Sequence, residues 1–327
     1  MTRALGLSLL LAVFALACKQ APLEPSARFP ESGNYPLEIV RPKSKRSFIL
    51  HLPPNYPVRS PLPVLIAFHG GGGNARGFQK NAGLDAKADE LGFAVVYPNG
   101  SGRFGKRFLT WNAGECCGYA MNQKLDDVGF TLSILADLAR DLALDPTRVY
   151  ATGHSNGAMM AYRLAADAPT RIAAIVPVAG ADMTVDFDPD APVSVLHVHS
   201  VDDPRASYDG GKGASLFGAR KAVVHRSVAA GLERWRKRDG CTGDGREIDA
   251  RTSGAHAAAL LDFGPCEDGT DVALWKLTGP GHGWPGSRSQ LGEKLMGPDT
   301  EVLHVADEVF RFITRFSRPG APELASR

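Results

Sequence analysis

One stretch near the centre of the chain leaves little choice of local structure. Val149, Tyr150 and Ala151 read as a short buried strand, and Ala158-Met-Met-Ala-Tyr-Arg-Leu-Ala-Ala166 reads as an apolar helix. Gly153-His154-Ser155-Asn156-Gly157 must turn one into the other. Glycines on both sides of such a bend let neighbouring backbone approach where a Cβ would clash. The serine between them sits in a strained backbone with its hydroxyl projecting. The helix that follows aims its free N–H groups at any negative charge that develops there. A glycine-rich turn with a chance serine is the plain alternative. The G-x-S-x-G spacing between a strand and a helix favours a nucleophile at Ser155, and it sets what else to look for.

The rest of the chain is of ordinary globular make-up. Its 327 residues suit one α/β domain with loops. An apolar content of 44% and a charged content of 22% set it in no special class. A net charge of +2 gives no reason to expect nucleic acid or an anionic membrane as a partner.

At the amino end, Arg3 precedes an uncharged apolar stretch, Ala4 to Ala17. That is short for a membrane span and suits the core of a signal peptide, so no integral span is expected. Ala15-Leu16-Ala17 is a cleavage signal, and Ala17-Cys18 also resembles the end of a bacterial lipobox. Both readings cut at the same bond and both imply export, either by secretion or with a lipid anchor on Cys18. The expected organisation is a signal peptide over 1–17, a tether over 18–35, a catalytic domain over 36–316 and a tail over 317–327.

Pro63-Val-Leu-Ile-Ala-Phe68 is an apolar run of the kind buried on both faces of a sheet. It empties into His69-Gly70-Gly71-Gly72-Gly73-Asn74. Four glycines carry an entropic cost that a flexible loop does not justify. A backbone N–H turned toward the serine, as one donor of an oxyanion hole, does justify it. Gly71 is assigned that donor, with Gly72 the alternative, and the N–H of Asn156 is the second. Ser47–Leu52 and Phe93–Tyr97 read as further strands and Asp85–Leu91 as a helix. The stretch Ser101–Gln123, with Trp111, Cys116 and Cys117, lies where ligands bind in open α/β sheets and is expected to form part of the substrate cleft. Asp126-Asp127 precedes a helical apolar pattern and reads as an N-cap rather than as a catalytic acid.

The partners of the serine follow in chain order. Val193–His199 reads as a strand ending at Ser200-Val201-Asp202-Asp203-Pro204. A carboxylate there is placed to be the acid, with Asp203 chosen and Asp202 in reserve. His197 and His199 share one face of that strand; satisfied core histidines are preferred to a metal pair. After the strand-like Asp271–Leu277, His282 lies between Gly281 and Gly283 on a loop free to reach Ser155. Trp284 is a candidate wall of the cleft. Val302, Val305, Val309, Phe310, Ile313 and Phe316 mark a closing helix. An even count of cysteines after Cys18 points to disulfides in an exported protein. Cys241 and Cys266 flank the strand-like Ala257–Phe263 run and are paired. Cys116 is then left with Cys117; a zinc site is the rival, though the spacing fits no finger or ribbon.

Together these residues resemble the α/β-hydrolase fold, with a mostly parallel central sheet and helices on both faces. More narrowly, they resemble bacterial esterases of the polyhydroxybutyrate depolymerase-like, feruloyl and acetylxylan esterase-like family. The resemblance rests on Phe68–Asn74, Tyr97–Gly100, Trp111–Gly118, Asp126–Phe130, Arg148–Leu164, Pro177–Gly180, His199–Pro204 and Gly281–Gly286. Three departures from the family pattern stand out. His154 occupies a position where methionine or another apolar residue is expected, Ser200-Val201-Asp202 replaces Gly-Thr-Ala, and Arg205-Ala206-Ser207 replaces an apolar pair and proline. His154 therefore joins Trp111 and Trp284 as a candidate cleft residue. The resemblance implies a serine esterase with no metal and no cofactor, acting on feruloyl or acetyl esters of plant polysaccharide. A hydroxyalkanoate polyester or its oligomers is the alternative substrate, and a non-catalytic polymer-binding protein on the same scaffold is the alternative of another class.

Overall fold

The computed structural model describes residues 25–41, 44–57, 60–105, 107–212, 223–289 and 291–324. The expected signal peptide and Cys18 lie outside them. In chain order the elements are β1 (Gly33–Arg41), β2 (Ser44–Leu52), β3 (Leu62–Phe68), α1 (Ala75–Ala82), α2 (Leu84–Leu91), β4 (Ala94–Pro98), α3 (Gly118–Asn122), α4 (Asp127–Leu138), β5 (Leu144–His154) and α5 (Asn156–Asp167). They continue with β6 (Ala174–Val178), β7 (Ser194–Ser200), the short β8 (Gly211–Lys212) and β9 (Val224–His225), α6 (Val228–Arg238), β10 (Arg246–Ser253), β11 (His256–Asp262), β12 (Val272–Thr278), α7 (Glu293–Met296) and α8 (Val305–Ile313).

Ten strands form one sheet in the order β1-β2-β4-β3-β5-β6-β7-β12-β11-β10. From β4 to β12 the neighbours run parallel, and antiparallel pairs close both edges. Strand alternation divides the core in two. Leu62, Val64, Ile66 and Phe68 of β3 pack on one face, with Phe130 and Ile134 of α4, Leu164 of α5 and Trp235 of α6. Leu65 and Ala67 pack on the other, with Ala82 of α1, Leu84 of α2 and Phe310 of α8. This is the expected α/β-hydrolase architecture. Its parallel strands end together on one side, where Ser155, the His69 loop, Asp203 and His282 all emerge.

Several local expectations change. Residues 25–35 are not a tether: Phe29 is wholly buried, and Arg28 pairs with Asp137 and Asp141 of the α4 segment. The tail is tied down as well, since the Arg318 N–H donates to the Thr147 carbonyl and Leu324 joins the core. Helix α6 starts at Val228, where Ser227 caps it by accepting from the Ala230 N–H. Strand β10 escaped notice because it is an edge strand whose residues are mostly exposed and charged, a pattern that blunts edge pairing rather than marking a core.

Candidate active site

The turn that carries Ser155 is built by close backbone contacts. Ser155 has φ 55° and ψ −119°, a left-handed conformation for a non-glycine residue, and forms the N-cap of α5. Its N–H donates to the Val178 carbonyl at 2.8 Å. A Cβ on Gly153 would strike the Gly157 carbonyl, and one on Gly157 would strike the Phe68 carbonyl. Both glycines are therefore steric requirements of a helix starting hard against the end of β3.

The loop after β3 is fixed with equal care. The Gly100 N–H donates to Nε2 of His69 at 3.0 Å, so Nδ1 carries the proton and donates to the Gly70 carbonyl at 2.8 Å. Burial lowers the His69 pKa to about 4, which keeps the ring neutral and that tautomer in place. The Gly73 N–H also donates to the Gly70 carbonyl, and the Gly72 N–H donates to the Leu109 carbonyl at 2.7 Å. Gly72 is thus occupied, while the Gly71 N–H bonds to no other described residue. The Asn156 N–H is the first of α5 and has no carbonyl one turn behind it. The Asn156 side chain accepts from the Trp111 N–H at 2.7 Å and donates to the Trp111 carbonyl at 3.1 Å.

Facing this backbone is a line of side chains. Nε2 of His282 lies 2.8 Å from Oγ of Ser155, and Nδ1 of His282 lies 2.6 Å from Oδ2 of Asp203. Asp203 Oδ1 accepts from the N–H groups of Arg205 and Ala206 at 2.7 and 2.8 Å. Burial alone would raise the Asp203 carboxyl. The facing His282, with hydrogen bonds from His199 and His282, instead holds it well below the usual carboxylate range. Asp202 accepts from the Gly279 N–H, outside this line.

A cleft of about 270 Å³ opens over Ser155. The glycine loop, His154, His282, Phe78 and Trp284 line it. Trp284 is a wall, held by its Nε1–H donating to the Ala82 carbonyl and set edge-on to Phe78 at 5.1 Å. His154 also faces the cleft. Its Nε2–H donates to the His282 carbonyl at 2.8 Å, and burial, reinforced by His282, lowers its pKa to about 3. Trp111 is a correction. It is fully buried, and its Nε1–H donates to the His69 carbonyl at 2.8 Å, so it braces the glycine loop from behind. Among the described residues of 101–123, none lines the cleft, contrary to expectation. Asn112 from that stretch donates its N–H to buried Asp127, which also pairs with Arg46 at 2.6 Å. Asp126 caps α4 as expected.

Cys241 is joined to Cys266, and the sulfurs of Cys116 and Cys117 are in bonding contact beside Met159. No group of three or more potential metal ligands occurs among the described residues. No helix among them is long and apolar enough to cross a membrane.

A serine at a strand-turn-helix bend, hydrogen-bonded to a histidine and through it to an aspartate on later strand ends, sits here on an α/β-hydrolase fold. A family model described as Esterase PHB depolymerase matches residues 46–233, and the chain belongs to that family. It is a carboxylic ester hydrolase, so the binding-protein alternative does not hold. "Putative esterase NocK" of Nocardia uniformis subsp. tsuyamanensis is 28% identical over 95% of this chain and 98% of its own length. Feruloyl esterase B of Piromyces equi is 28% identical over 72% of this chain, which spans 42% of that relative. Among solved structures, an acetyl xylan esterase from Aspergillus awamori superposes with a TM-score of 0.51 at 14% identity, covering 86% of this chain and 99% of its own, a likeness of fold.

Proposed function

We propose that this chain is an exported serine esterase that hydrolyses feruloyl or acetyl esters of plant polysaccharide through Ser155, His282 and Asp203. The observation that carries the proposal is the continuous hydrogen-bonded line from Ser155 Oγ through His282 to Asp203, with its serine end open to the cleft. His282 Nε2 takes the hydroxyl proton as Ser155 Oγ bonds to the ester carbonyl carbon. Asp203 fixes the His282 tautomer and stabilises its charged form. The N–H groups of Gly71 and Asn156 receive the oxyanion, each worth roughly 3–4 kcal/mol of barrier. The alcohol leaves with the proton from His282. Water then gives a proton to His282 and its oxygen to the acyl carbon, and His282 returns that proton to Ser155 Oγ as the acyl bond breaks and the acid is released.

The aromatic pair Phe78 and Trp284 on the cleft supports an aromatic acyl group, and the feruloyl esterase relative supports the same class. The family description favours a second reading, a hydroxyalkanoate ester or its oligomers. Export rests on the Ala4–Ala17 stretch and the Ala17-Cys18 bond. The test is turnover of methyl ferulate beside 4-nitrophenyl acetate, butyrate and octanoate by wild type and Ser155→Ala. Serine-dependent turnover with ferulate ahead of the aliphatic esters is expected. Aliphatic esters or hydroxybutyrate oligomers ahead of ferulate would move the substrate to polyester, and undiminished turnover by Ser155→Ala would overturn the mechanism.

A further inference from the structure

Behind Asp203, on the side away from Ser155, a second line of side chains runs into the core. Tyr162 of α5, His197 and His199 of β7 are each 1% exposed. The Tyr162 hydroxyl is 2.9 Å from Nδ1 of His197. His197 Nε2 is 2.9 Å from Nδ1 of His199. His199 Nε2 is 2.8 Å from the Ala206 carbonyl and 3.3 Å from Oδ2 of Asp203.

The direction of every proton in this line follows from its two ends. His199 Nε2 faces two acceptors, a carbonyl and a carboxylate, so it carries a proton. The buried Tyr162 hydroxyl donates to Nδ1 of His197, so His197 donates through Nε2 and His199 accepts through Nδ1. Burial holds His197 well below its ordinary pKa, consistent with a neutral ring. Reversing the line would leave the Tyr162 proton facing a protonated nitrogen in the core, an unsatisfied donor that buried sites rarely tolerate.

We infer that His199 is a positioning residue for the esterase reaction: held in its Nε2–H tautomer by His197 and Tyr162, it donates to Asp203 and sets the orientation and charge that the carboxylate presents to His282. The inference rests on the Ser155–His282–Asp203 reading. It gives the paired histidines of β7 a role that packing alone does not require. A hydrogen bond to a carboxylate draws on its negative charge. Losing this one leaves more of that charge facing His282 and removes one of the contacts that orient the carboxylate, beside the N–H groups of Arg205 and Ala206. Other titratable or charged groups around the line are few. His225 of β9 and His154 face Asp203 and His282. Arg205 lies on the acid's own loop. Tyr208 packs edge-on to His199 at 6.0 Å with Lys276 of β12 over its ring. Asp182 acts on Tyr162.

The test contrasts two amides at one position. His199→Gln places an N–H donor near the position of Nε2. His199→Asn places its amide near Nδ1 and loses the donor to Asp203. With 4-nitrophenyl acetate, Gln should keep kcat within about threefold, with the acid limb of the kcat/KM profile unmoved. Asn should lose about 10- to 100-fold in kcat, the effect of one hydrogen bond to a charged group, at unchanged KM and with the acid limb moved to higher pH. Equal behaviour of the two folded variants, or an unmoved limb in Asn, overturns the inference. A merely structural role would lower melting temperature and leave the limb where it was. Nitrogen-15 spectra of histidine-labelled wild type supply a reading that needs no variant to fold. At neutral pH His199 should be protonated on Nε2 and bare on Nδ1, and the opposite tautomer overturns the inference. Ser155→Ala, assayed alongside, separates the two failures: retained activity there overturns the triad itself, whereas loss there with an unaltered His199→Asn overturns the positioning role alone.

Discussion

The two sides of the site are made of different material. On one side lie the serine turn and the glycine loop, where the proposed chemistry depends on main-chain N–H groups and on carbonyls packed too closely for any Cβ. On the other lie His282, Asp203 and His199, where the proposed chemistry depends on side-chain nitrogens and oxygens 2.6 to 3.3 Å apart. The backbone side cannot be altered without altering the fold, because the same contacts join β3 to α5. On the side-chain side, Asp203 and His282 hang on loops after β7 and β12 and are open to substitution with the sheet intact, whereas His199 belongs to β7 itself. Damage to the first should therefore lower stability and activity together, and damage to the second should lower activity alone.

The largest effect should come from His282→Ala. Its kcat on 4-nitrophenyl acetate should fall about 10⁴-fold or more, while its melting temperature stays near that of the wild type. A matching collapse in stability would erase the contrast. Next, Gly157→Ala should fail on both counts. Its Cβ would have to displace the Phe68 carbonyl, a cost of about 2–3 kcal/mol typical of overpacking. Urea unfolding read beside activity would show whether the two losses travel together. A smaller version of the same test is Trp111→Phe, which removes the donor to the His69 carbonyl and keeps most of the buried ring. It should lose about 1–3 kcal/mol and loosen the glycine loop, seen as faster hydrogen exchange at residues 69–73.

The smallest effect concerns pH. His69 and His154 have folded-state values of about 4 and about 3. Between an unfolded value of about 6.5 and those values, the unfolded chain binds protons that the folded chain does not. Stability from these two histidines is therefore complete above that window and is lost as pH falls through it. Asp239, raised to about 7 by burial, acts in the opposite sense over part of the same range, so the informative quantity is a difference between two proteins. His154→Met should flatten the acid decline in unfolding free energy by up to about 1.4 kcal/mol per pH unit. Parallel curves for the two proteins would remove His154 from the account.

The contrast between the two sides also explains what the sequence revealed. Glycines at 70–73, 153 and 157 are visible because they are exceptions to ordinary composition, and apolar runs such as Pro63–Phe68 mark the central strands plainly. Chain order and strand ends then point to Asp203 and His282. Sequence was silent wherever a role depends on a distant partner. Trp111 read as a cleft aromatic because nothing local shows that its Nε1–H meets a carbonyl 42 residues earlier. The choice of Gly71 over Gly72 turned on the Leu109 carbonyl. Phe29 and Leu324 looked like parts of a tether and a tail because single apolar residues in polar segments carry no periodicity.

The central claim is that His282 and Asp203 activate Ser155. Its most direct test is covalent labelling with a fluorophosphonate, with the adduct located by mass spectrometry in the wild type, Ser155→Ala and His282→Ala. One adduct on the Ser155 peptide of the wild type is predicted, appearing as esterase activity disappears and absent or greatly slowed in both variants. Complete inactivation with Ser155 unmodified, or equally fast labelling of Ser155 in His282→Ala, would contradict it.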